Sequence, residues 1–475
     1  MSSEPLVAGI DSSTQSTKVV LCRARDGAVV DQASAPHPNG TECDPRHWQL
    51  ALEQANGLLR RAAAVAVAAQ QHGMVVLDAG GTVIRPAILW NDTRSAPQAA
   101  AIVNDLGGPA ACASLLGSVL VASMTVTKLR WLAEHEPANA ARTATVLLPH
   151  DWLTWLLGGR KSPTTDRGDA SGTGYWSPAK NAYRPEIAAA ALGHPVELPR
   201  VAGPNEIVGE TEWGALVAPG TGDNMGAALG LGLAPGDVVV SIGTSGTAFA
   251  VSDVPAADAS GLVAGFADAT GRFLPLACTL NATGILTSTA KLLGCSLDEL
   301  STLALAAQPG AGGLTLLPYL DGERTPNRPD ATGVLRGLTT RNATRENLAR
   351  AAVEALLASL ADAVDHLVQQ GARPQRVLMI GGGARSEAVR RLAPQIFGMK
   401  VNVPEPAEYV ALGAARQAAW ALAATPHPPE WPAAPAREYE AAPTPHVRAR
   451  YADLRDATDG WKEAPHANED GGDNR

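Results

Sequence analysis

Two short loops of nearly the same composition recur in this chain, and each joins two apolar segments. The first apolar run, 6–10, leads into the loop and strand start at 11–18, and the second, 238–242, leads into 243–247. Both loops are rich in Ser, Thr and Gly, so each pattern predicts a β-hairpin. Small hydroxyl residues in such a turn expose N–H and O–H donors, which suits a phosphate. The repetition predicts a duplicated core that holds a nucleotide between its halves.

The length of the chain, 475 residues, exceeds what one hydrophobic core usually serves, so two domains are expected. We predict an N-terminal unit over 1–236 and a C-terminal unit over 237–425, with the glycine-dense segment 220–236 as the junction. Beyond 425 the chain becomes Pro-rich and then polar, which predicts an extension over 426–475 that is disordered over 463–475. The fold class that follows is α/β.

Hydrophobic patterning gives the main elements of both units. In the first unit it predicts strands at 6–10, 17–23, 28–34, 65–69 and 75–78 and a helix within 48–64. In the second unit it predicts a helix over 345–370, because apolar residues recur every fourth position, Thr344 can cap the start and Gly371 follows the end. A buried strand at 376–380, a helix to Gly398, a strand at 401–403 and an Ala-rich helix from 411 follow.

Composition narrows the class of protein. A net charge of −9 argues against a nucleic-acid partner, which requires a basic face. No apolar run approaches the length of a membrane span, and the first residues lack the pattern of a signal peptide. The five cysteines are scattered without a Cys-x-x-Cys pair, which is typical of reduced thiols in the cytoplasm. The ten histidines show no spacing of a metal hydrolase.

Several residues around the two loops suit a nucleotide site. Asp11 ends an apolar strand, where its carboxylate can hold Mg²⁺ beside phosphates or cap the turn. Lys18 can reach a phosphate or lie at a solvated strand end. The glycines of 381–384 follow a buried strand, so a flat base such as adenine can approach the backbone there. A plain strand-to-helix turn explains the same glycines equally well.

One carboxylate and two polar clusters suit a sugar site. Asp223 lies among small residues at the junction, where it can act as a general base or cap a helix. The clusters are 70–73 (Gln-Gln-His-Gly) and 90–94 (Trp-Asn-Asp-Thr-Arg). Amides, an imidazole, a carboxylate and an indole provide the hydrogen bonds and stacking that a polyhydroxylated substrate needs. Considered alone, His72 is more often a loop histidine than a ligand.

The order and spacing of these segments resemble the FGGY carbohydrate kinase family over roughly 6–425. The matching segments are 11–18, 70–73, 85–92, 166–173, 222–224, 241–246, 318–326, 380–387 and 411–416. Among members of the family, the resemblance is strongest to those that phosphorylate D-xylulose. It implies two actin-like (ribonuclease-H-like) domains with a central cleft, ATP and Mg²⁺ as cofactors, and a homodimer. It also implies transfer of phosphate to the C5 hydroxyl of D-xylulose.

The resemblance also implies roles for individual residues. Asp223 is the expected catalytic base, and Asp11 the expected Mg²⁺ ligand. The expected sugar-binding residues are Gln71, His72, Trp90, Asn91, Asp92 and Asn224. The expected ATP-binding residues are Thr14, Ser16, Lys18, Thr244, Ser245, Gly382, Gly383 and Ser386.

Two departures from the family pattern leave alternatives open. Ser13 replaces a glycine of the first phosphate loop, and Gln71 replaces a methionine common in the xylulose-phosphorylating members. A kinase of the same fold for another ketose or polyol (ribulose, gluconate or glycerol) therefore stays open. A non-catalytic nucleotide switch of the actin and Hsp70 kind is the alternative from another class.

Overall fold

Two seven-stranded sheets form the centre of the molecule in the computed structural model, which describes residues 4–461. The strands, in chain order, are β1 Leu6–Ser12, β2 Ser16–Arg23, β3 Val29–Pro36, β4 Glu42–Cys43, β5 Ala64–Ala69, β6 Val75–Leu77, β7 Ala87–Ile88, β8 Thr145–Leu147, β9 Thr164–Thr165, β10 Trp176–Ser177, β11 Ala182–Tyr183, β12 Arg200–Val201, β13 Gly209–Glu210, β14 Leu216–Val217, β15 Thr221–Gly222, β16 Asp237–Ile242, β17 Gly246–Ala250, β18 Ala264–Ala267, β19 Phe273–Thr279, β20 Thr315–Leu317, β21 Val334–Arg336, β22 Arg376–Ile380, β23 Val401–Pro404 and β24 Ala436–Tyr439.

Helices cover both sheets and fill the segment between β7 and β12. They are α1 Pro45–Gln54, α2 Asn56–Leu59, α3 Ala96–Asp105, α4 Pro109–Leu116, α5 Thr125–His135, α6 Pro137–Arg142, α7 Pro149–Leu157, α8 Arg167–Ala170, α9 Pro185–Leu192, α10 Asp223–Leu231, α11 Thr283–Leu293, α12 Leu297–Ala306, α13 Arg345–Gln369, α14 Glu387–Phe397, α15 Tyr409–Ala423 and α16 Pro445–Ala457, with 3₁₀ turns at Ala311–Gly313 and Gly382–Arg385.

The two sheets share one topology, which confirms the predicted duplication. In the N-terminal sheet the central order is β3-β2-β1-β5-β14, and in the C-terminal sheet it is β19-β17-β16-β22-β23. In each sheet the first three strands are antiparallel and the last two run parallel to the first strand of the unit. The hairpin loops β1–β2 and β16–β17 each contain three residues, 13–15 and 243–245. They therefore lie at equivalent positions in the two halves.

Helices α10 and α15 each pack against the sheet of the other half. α10 belongs to the N-terminal half, yet Met225 and Leu229 are part of the buried cluster that contains Val239 and Phe249 of the C-terminal sheet. α15 belongs to the C-terminal half and packs its alanines on β1 and β5 of the N-terminal sheet. The two helices also cross closely, because a Cβ atom added to Gly413 would lie 1.8 Å from the carbonyl oxygen of Gly226. This crossing joins the two domains.

Gly413→Ala is expected to lower the melting temperature. Its methyl group would meet backbone atoms of α10, which cannot move aside as a side chain can, and overpacking of this kind costs on the order of 1–3 kcal/mol or more. Gly284→Ala is the matched control, because Gly284 also lies in a helix but has no atom within 4 Å of its added Cβ. Thermal unfolding of both variants tests this, and an unchanged melting temperature for Gly413→Ala would contradict the close crossing.

Two sequence predictions need correction. The helix expected within 48–64 starts at Pro45 after the Asp44 N-cap and is interrupted at Ala55, so that two helices form. The segment 426–461 is part of the C-terminal domain, because β24 pairs with β23 and Tyr451 of α16 is buried in its core. Disorder was predicted for 463–475, which lies outside the described residues.

The long helix and its ends follow the prediction closely. α13 spans Arg345–Gln369, the Thr344 hydroxyl accepts a hydrogen bond from the Asn347 amide, and Gly371 has a φ of 97°. Within residues 4–461 no single helix has the length and apolarity to cross a membrane. Only α3 and α4 together reach that length, and they bend by 88° at the break between them.

Candidate active site

A cavity of about 310 Å³ lies between the two domains and brings together most of the predicted sugar and base residues. We call it the central cavity. Its polar lining comes from Gln71, His72, Trp90, Asp223 and Asn224 of the first domain and from Ser241, Ser245, Thr247 and Arg324 of the second. Its apolar lining includes Val119, Val121, Met124, Phe266 and Leu276. The polar wall of the cavity can therefore hydrogen-bond to hydroxyl groups of a ligand, while the apolar wall contacts its carbon atoms.

A second cavity, of about 530 Å³, lies against the glycines that follow β22. We call it the glycine cavity. Asp11, Lys18, Gly381 and Gly382 line it, and Ser241 lines both this cavity and the central cavity. A Cβ added to Gly382 would meet nothing within 4 Å, so its backbone faces open space. The two cavities are thus neighbours on either side of the β16 strand end.

Asp223 is the first residue of α10 and follows the two-residue strand β15. One of its carboxylate oxygens accepts hydrogen bonds from the Asn224 backbone amide at 2.8 Å and from the Asn224 side-chain amide at 2.9 Å. Burial and the negative charge of Asp11 raise the pKa of Asp223 to about 7. A carboxylate with such a pKa is matched to general-base work near neutral pH.

Asp11 lies near the end of β1, directly opposite Lys18 in the β1–β2 register. Burial raises its pKa to about 6, although a hydrogen bond from the Ser13 hydroxyl favours the ionised form. Lys18 is the cation whose charge acts on Asp11, and Glu408 of the other domain binds its ammonium group at 2.7 Å. A buried oxygen donor with little compensating positive charge fits a hard divalent cation such as Mg²⁺.

His72 is held as a neutral acceptor. Its backbone φ is 69°, and its Nδ1–H donates to the Gly172 carbonyl at 2.7 Å. Burial, together with the positive charges of Lys128 and Arg324, lowers the pKa of His72 to about 3. The ring therefore stays uncharged, and its Nε2 is left as an acceptor for a ligand hydroxyl.

Gln71 offers the complementary donor. Its side-chain oxygen accepts from the Asn224 amide at 3.4 Å, whereas its Nε2 is buried without a hydrogen-bond partner in the structure. A buried amide donor without a partner costs free energy unless a ligand accepts from it. The pair Gln71–His72 thus presents one donor and one acceptor to the central cavity.

The structure does not bring Asn91 and Asp92 to the central cavity. Asn91 is exposed, and its amide donates to the Gly40 carbonyl at 3.3 Å. The Asp92 carboxylate is bound by the Arg94 guanidinium through two hydrogen bonds of 2.8 Å. Only Trp90 of this cluster reaches the cavity, and its indole N–H donates to the Thr14 hydroxyl at 2.9 Å.

Some of the predicted ATP-binding residues line one of the two cavities and others line neither. Lys18 and Gly382 line the glycine cavity and Ser245 lines the central cavity. Thr14 and Thr244 occupy the middle of the two hairpin loops, with Thr244 exposed, and Ser16 starts β2. Gly383 and Ser386 line neither cavity: a Cβ on Gly383 would clash with Ile242 at 2.3 Å, and Ser386 is the N-cap residue of α14.

Sequence reasoning missed several residues of the central cavity. Arg324 lies in the segment 318–326, which was noted only for its resemblance, and its positive charge acts on His72. Phe266 contacts the His72 ring at 5.6 Å between centroids. Both come from strands or loops of the other domain, and no local pattern connects them to Gln71 or Asp223. The basic residue in an otherwise polar loop was the one available signal for Arg324.

Comparisons with known proteins identify the family of this chain. Residues 6–230 match the N-terminal domain of the FGGY family of carbohydrate kinases, and residues 238–422 match its C-terminal domain. A xylulose kinase of Streptomyces coelicolor is 49% identical over 435 residues, 88% of each chain, and one of Streptomyces rubiginosus is 48% identical over 94% of this chain and 93% of its own. The crystal structure of xylulose kinase from Bifidobacterium adolescentis matches with a TM-score of 0.91 at 46% identity, over 95% of this chain and 99% of that chain. This chain belongs to the FGGY family of carbohydrate kinases.

Proposed function

We propose that this kinase transfers the γ-phosphoryl group of ATP to the C5 hydroxyl of D-xylulose, giving D-xylulose 5-phosphate and ADP. The observation that carries the proposal is that Asp223, Gln71 and His72 line one cavity beside the glycine cavity. The similarity to xylulose kinases at 48–49% identity over most of the chain supports the choice of sugar.

Phosphoryl transfer depends mainly on alignment and charge neutralisation. The sugar binds in the central cavity, where Gln71 donates to one hydroxyl and His72 accepts from another. ATP lies in the glycine cavity, with its base near Gly382 and its phosphates toward the loops of Thr14 and Thr244. When bound beside Asp11, Mg²⁺ supplies positive charge that neutralises the phosphates.

Asp223 completes the arrangement by accepting the proton of the attacking hydroxyl. Its position at the start of α10 places the carboxylate in the central cavity, and its raised pKa leaves it basic enough to take a proton near pH 7. The apolar wall of the cavity reduces the access of water, which is a competing acceptor of phosphate.

A sugar panel tests the proposed substrate. Purified protein with MgATP is assayed by coupled ADP detection on D-xylulose, D-ribulose, L-ribulose, gluconate and glycerol. The expected result is the highest kcat/KM on D-xylulose. A higher kcat/KM on another sugar would assign the enzyme to that substrate, and ADP release that no sugar accelerates would favour a nucleotide switch.

His72→Ala is expected to raise the KM for the sugar about 10- to 100-fold, because a buried acceptor for a hydroxyl is lost. The KM for ATP should change little, since His72 does not line the glycine cavity. His135→Ala is the matched control, because His135 is exposed on α5. Steady-state kinetics in both substrates test this, and an effect confined to ATP would remove His72 from the sugar site.

The pH profile follows from the raised pKa of Asp223. A base must be ionised to accept a proton, so activity is present above its pKa and lost as the pH falls through it. We expect log kcat/KM for the sugar to fall with unit slope below a pH of about 7. A bound cation favours the ionised carboxylate and moves this break to lower pH. A profile that is flat from pH 5 to 8 would contradict the assignment.

We also expect a cytoplasmic homodimer. The five cysteines all lie within the described residues as free thiols, which fits a reducing compartment. The dimer rests on resemblance to the family alone. Sedimentation equilibrium of the purified protein measures it directly.

A further inference from the structure

A cluster of buried charged side chains lies outside both cavities, on α7 and at the start of α8. The ring of His150 is fully buried, and its Nδ1 lies 2.8 Å from Asp169 and 3.2 Å from Asp151. Its Nε2 lies 2.9 Å from the carbonyl oxygen of Pro219. Asp166 is also buried and accepts from the backbone amides of Gly168 and Asp169 at 3.0 and 2.8 Å.

The partners of His150 define its protonation state. A carbonyl oxygen accepts only, so Nε2 must carry a proton, and Nδ1 faces two carboxylates. Burial lowers the pKa of His150, but the charges of Asp151 and Asp169 outweigh it and raise the pKa above its ordinary value. Both ring nitrogens therefore have a partner, because Nε2–H donates to the Pro219 carbonyl and Nδ1 faces the Asp169 carboxylate.

Hydrogen bonds connect this cluster to two places in the chain. One is the segment just before the proposed base Asp223, and the other is the loop that binds the proposed sugar residue His72. Pro219, which accepts from His150, lies four residues before Asp223. The Thr221 hydroxyl donates to Asp166 at 2.7 Å, and Thr221 belongs to the strand that ends next to Asp223. On the other side, the Gly172 amide donates to the Asp169 carbonyl at 2.9 Å, while the Gly172 carbonyl holds His72.

The segment before Asp223 needs such support. β15 has only two residues, and Gly220 has a φ of 79° with space for no side chain, since an added Cβ would lie 2.5 Å from the His150 ring. The β-ladder that holds this segment is two residues long, with Thr221 and Gly222 paired to β5. An error of about 1 Å in the position of a catalytic group can cost a factor of about 10² in rate.

We propose that His150 and Asp169 are positioning residues that hold the 219–223 segment, and so the carboxylate of Asp223, in the orientation required for phosphoryl transfer. Asp166 extends the same unit through Thr221. This inference rests on the proposed role of Asp223 as the base. The pair acts through Asp223 and touches neither substrate.

The test compares His150→Gln, Asp169→Asn, the double variant and Thr221→Val with the wild type. A glutamine cannot donate to Asp169 and Pro219 at once, so His150→Gln is expected to lower kcat about 10- to 100-fold. The KM for ATP and the dissociation constant of ADP should stay within about twofold of wild type. The double variant should lose no more than about twofold beyond His150→Gln, because the two residues act as one unit.

Thr221→Val keeps the shape of the side chain and removes only the bond to Asp166. This variant should lower kcat about 3- to 10-fold. It therefore still tests the positioning role if His150→Gln fails to fold. His135→Gln is the matched control on an exposed histidine. The proposal is overturned if folded His150→Gln or Thr221→Val protein keeps kcat within twofold of wild type. A stoichiometric metal ion in the wild type that His150→Gln lacks would also overturn it.

Asp223→Asn is measured in parallel, so that failure of the positioning role can be distinguished from failure of Asp223 as the base. If Asp223→Asn retains turnover, the proposed base is wrong. If Asp223→Asn is inactive while folded His150→Gln or Thr221→Val protein keeps kcat within twofold of wild type, the positioning role alone is wrong.

Discussion

Asp223→Asn is expected to lower kcat by about 10²- to 10⁴-fold, the usual loss when a general base is removed. An amide keeps the shape of the carboxylate and its bonds to Asn224, but it cannot accept the proton of the attacking hydroxyl. Binding of ATP should change little, because Asp223 lines the central cavity and not the glycine cavity. Steady-state kinetics together with ADP titration measure both quantities.

The same variant is expected to be more stable than the wild type at pH 8. The folded-state pKa of Asp223, about 7, lies above its ordinary value of 3.8, so stability is lost as the pH rises between these values. Removing the charge restores that stability at pH 8 and gives no gain near pH 4. Asp298→Asn is the matched control, because Asp298 also lies in the first turn of a helix but is exposed. An inactive variant with lowered stability would indicate misfolding and not the loss of a base.

The duplicated core was predictable because its signal is local. The two hairpins, the strand at 376–380 and the helix α13 each have a complete pattern within a short stretch, including the cap at Thr344. The resemblance to the FGGY family then predicted the cleft between the domains. Asp223, Gln71 and His72 were predicted together and line one cavity.

The features that sequence reasoning missed depend on contacts distant in the chain. The alanine pattern of α15 does not tell which sheet the helix covers, and its packing on the N-terminal sheet depends on close approaches such as that of Ala411 to Gly9 of β1. Asp92 has the chemistry of a sugar ligand, yet Arg94, two residues away, binds its carboxylate. Local composition shows which groups are present but not which partner each one has.

Asp11→Asn is expected to raise the Mg²⁺ concentration needed for half-maximal activity by at least about tenfold and to lower kcat by about 10²-fold. The amide keeps the size of the side chain but removes the buried charge that would hold the cation. The Mg²⁺ dependence is measured at fixed ATP, with D-xylulose saturating. Asp31→Asn is the matched control, because Asp31 lies on β3 of the same sheet and pairs with Arg61 away from both cavities.

The pH profile of Asp11→Asn is a second measurement. It distinguishes a metal ligand from a residue that only stabilises the end of the strand. The charge of Asp11 raises the pKa of Asp223, so its removal should lower that pKa and move the acid side of the pH profile to lower pH. A strand-end role alone would change stability without changing the Mg²⁺ dependence. If Asp11→Asn keeps the Mg²⁺ dependence of the wild type, the cation is held elsewhere. The raised pKa of Asp11 then reflects the burial of its carboxylate and nothing more.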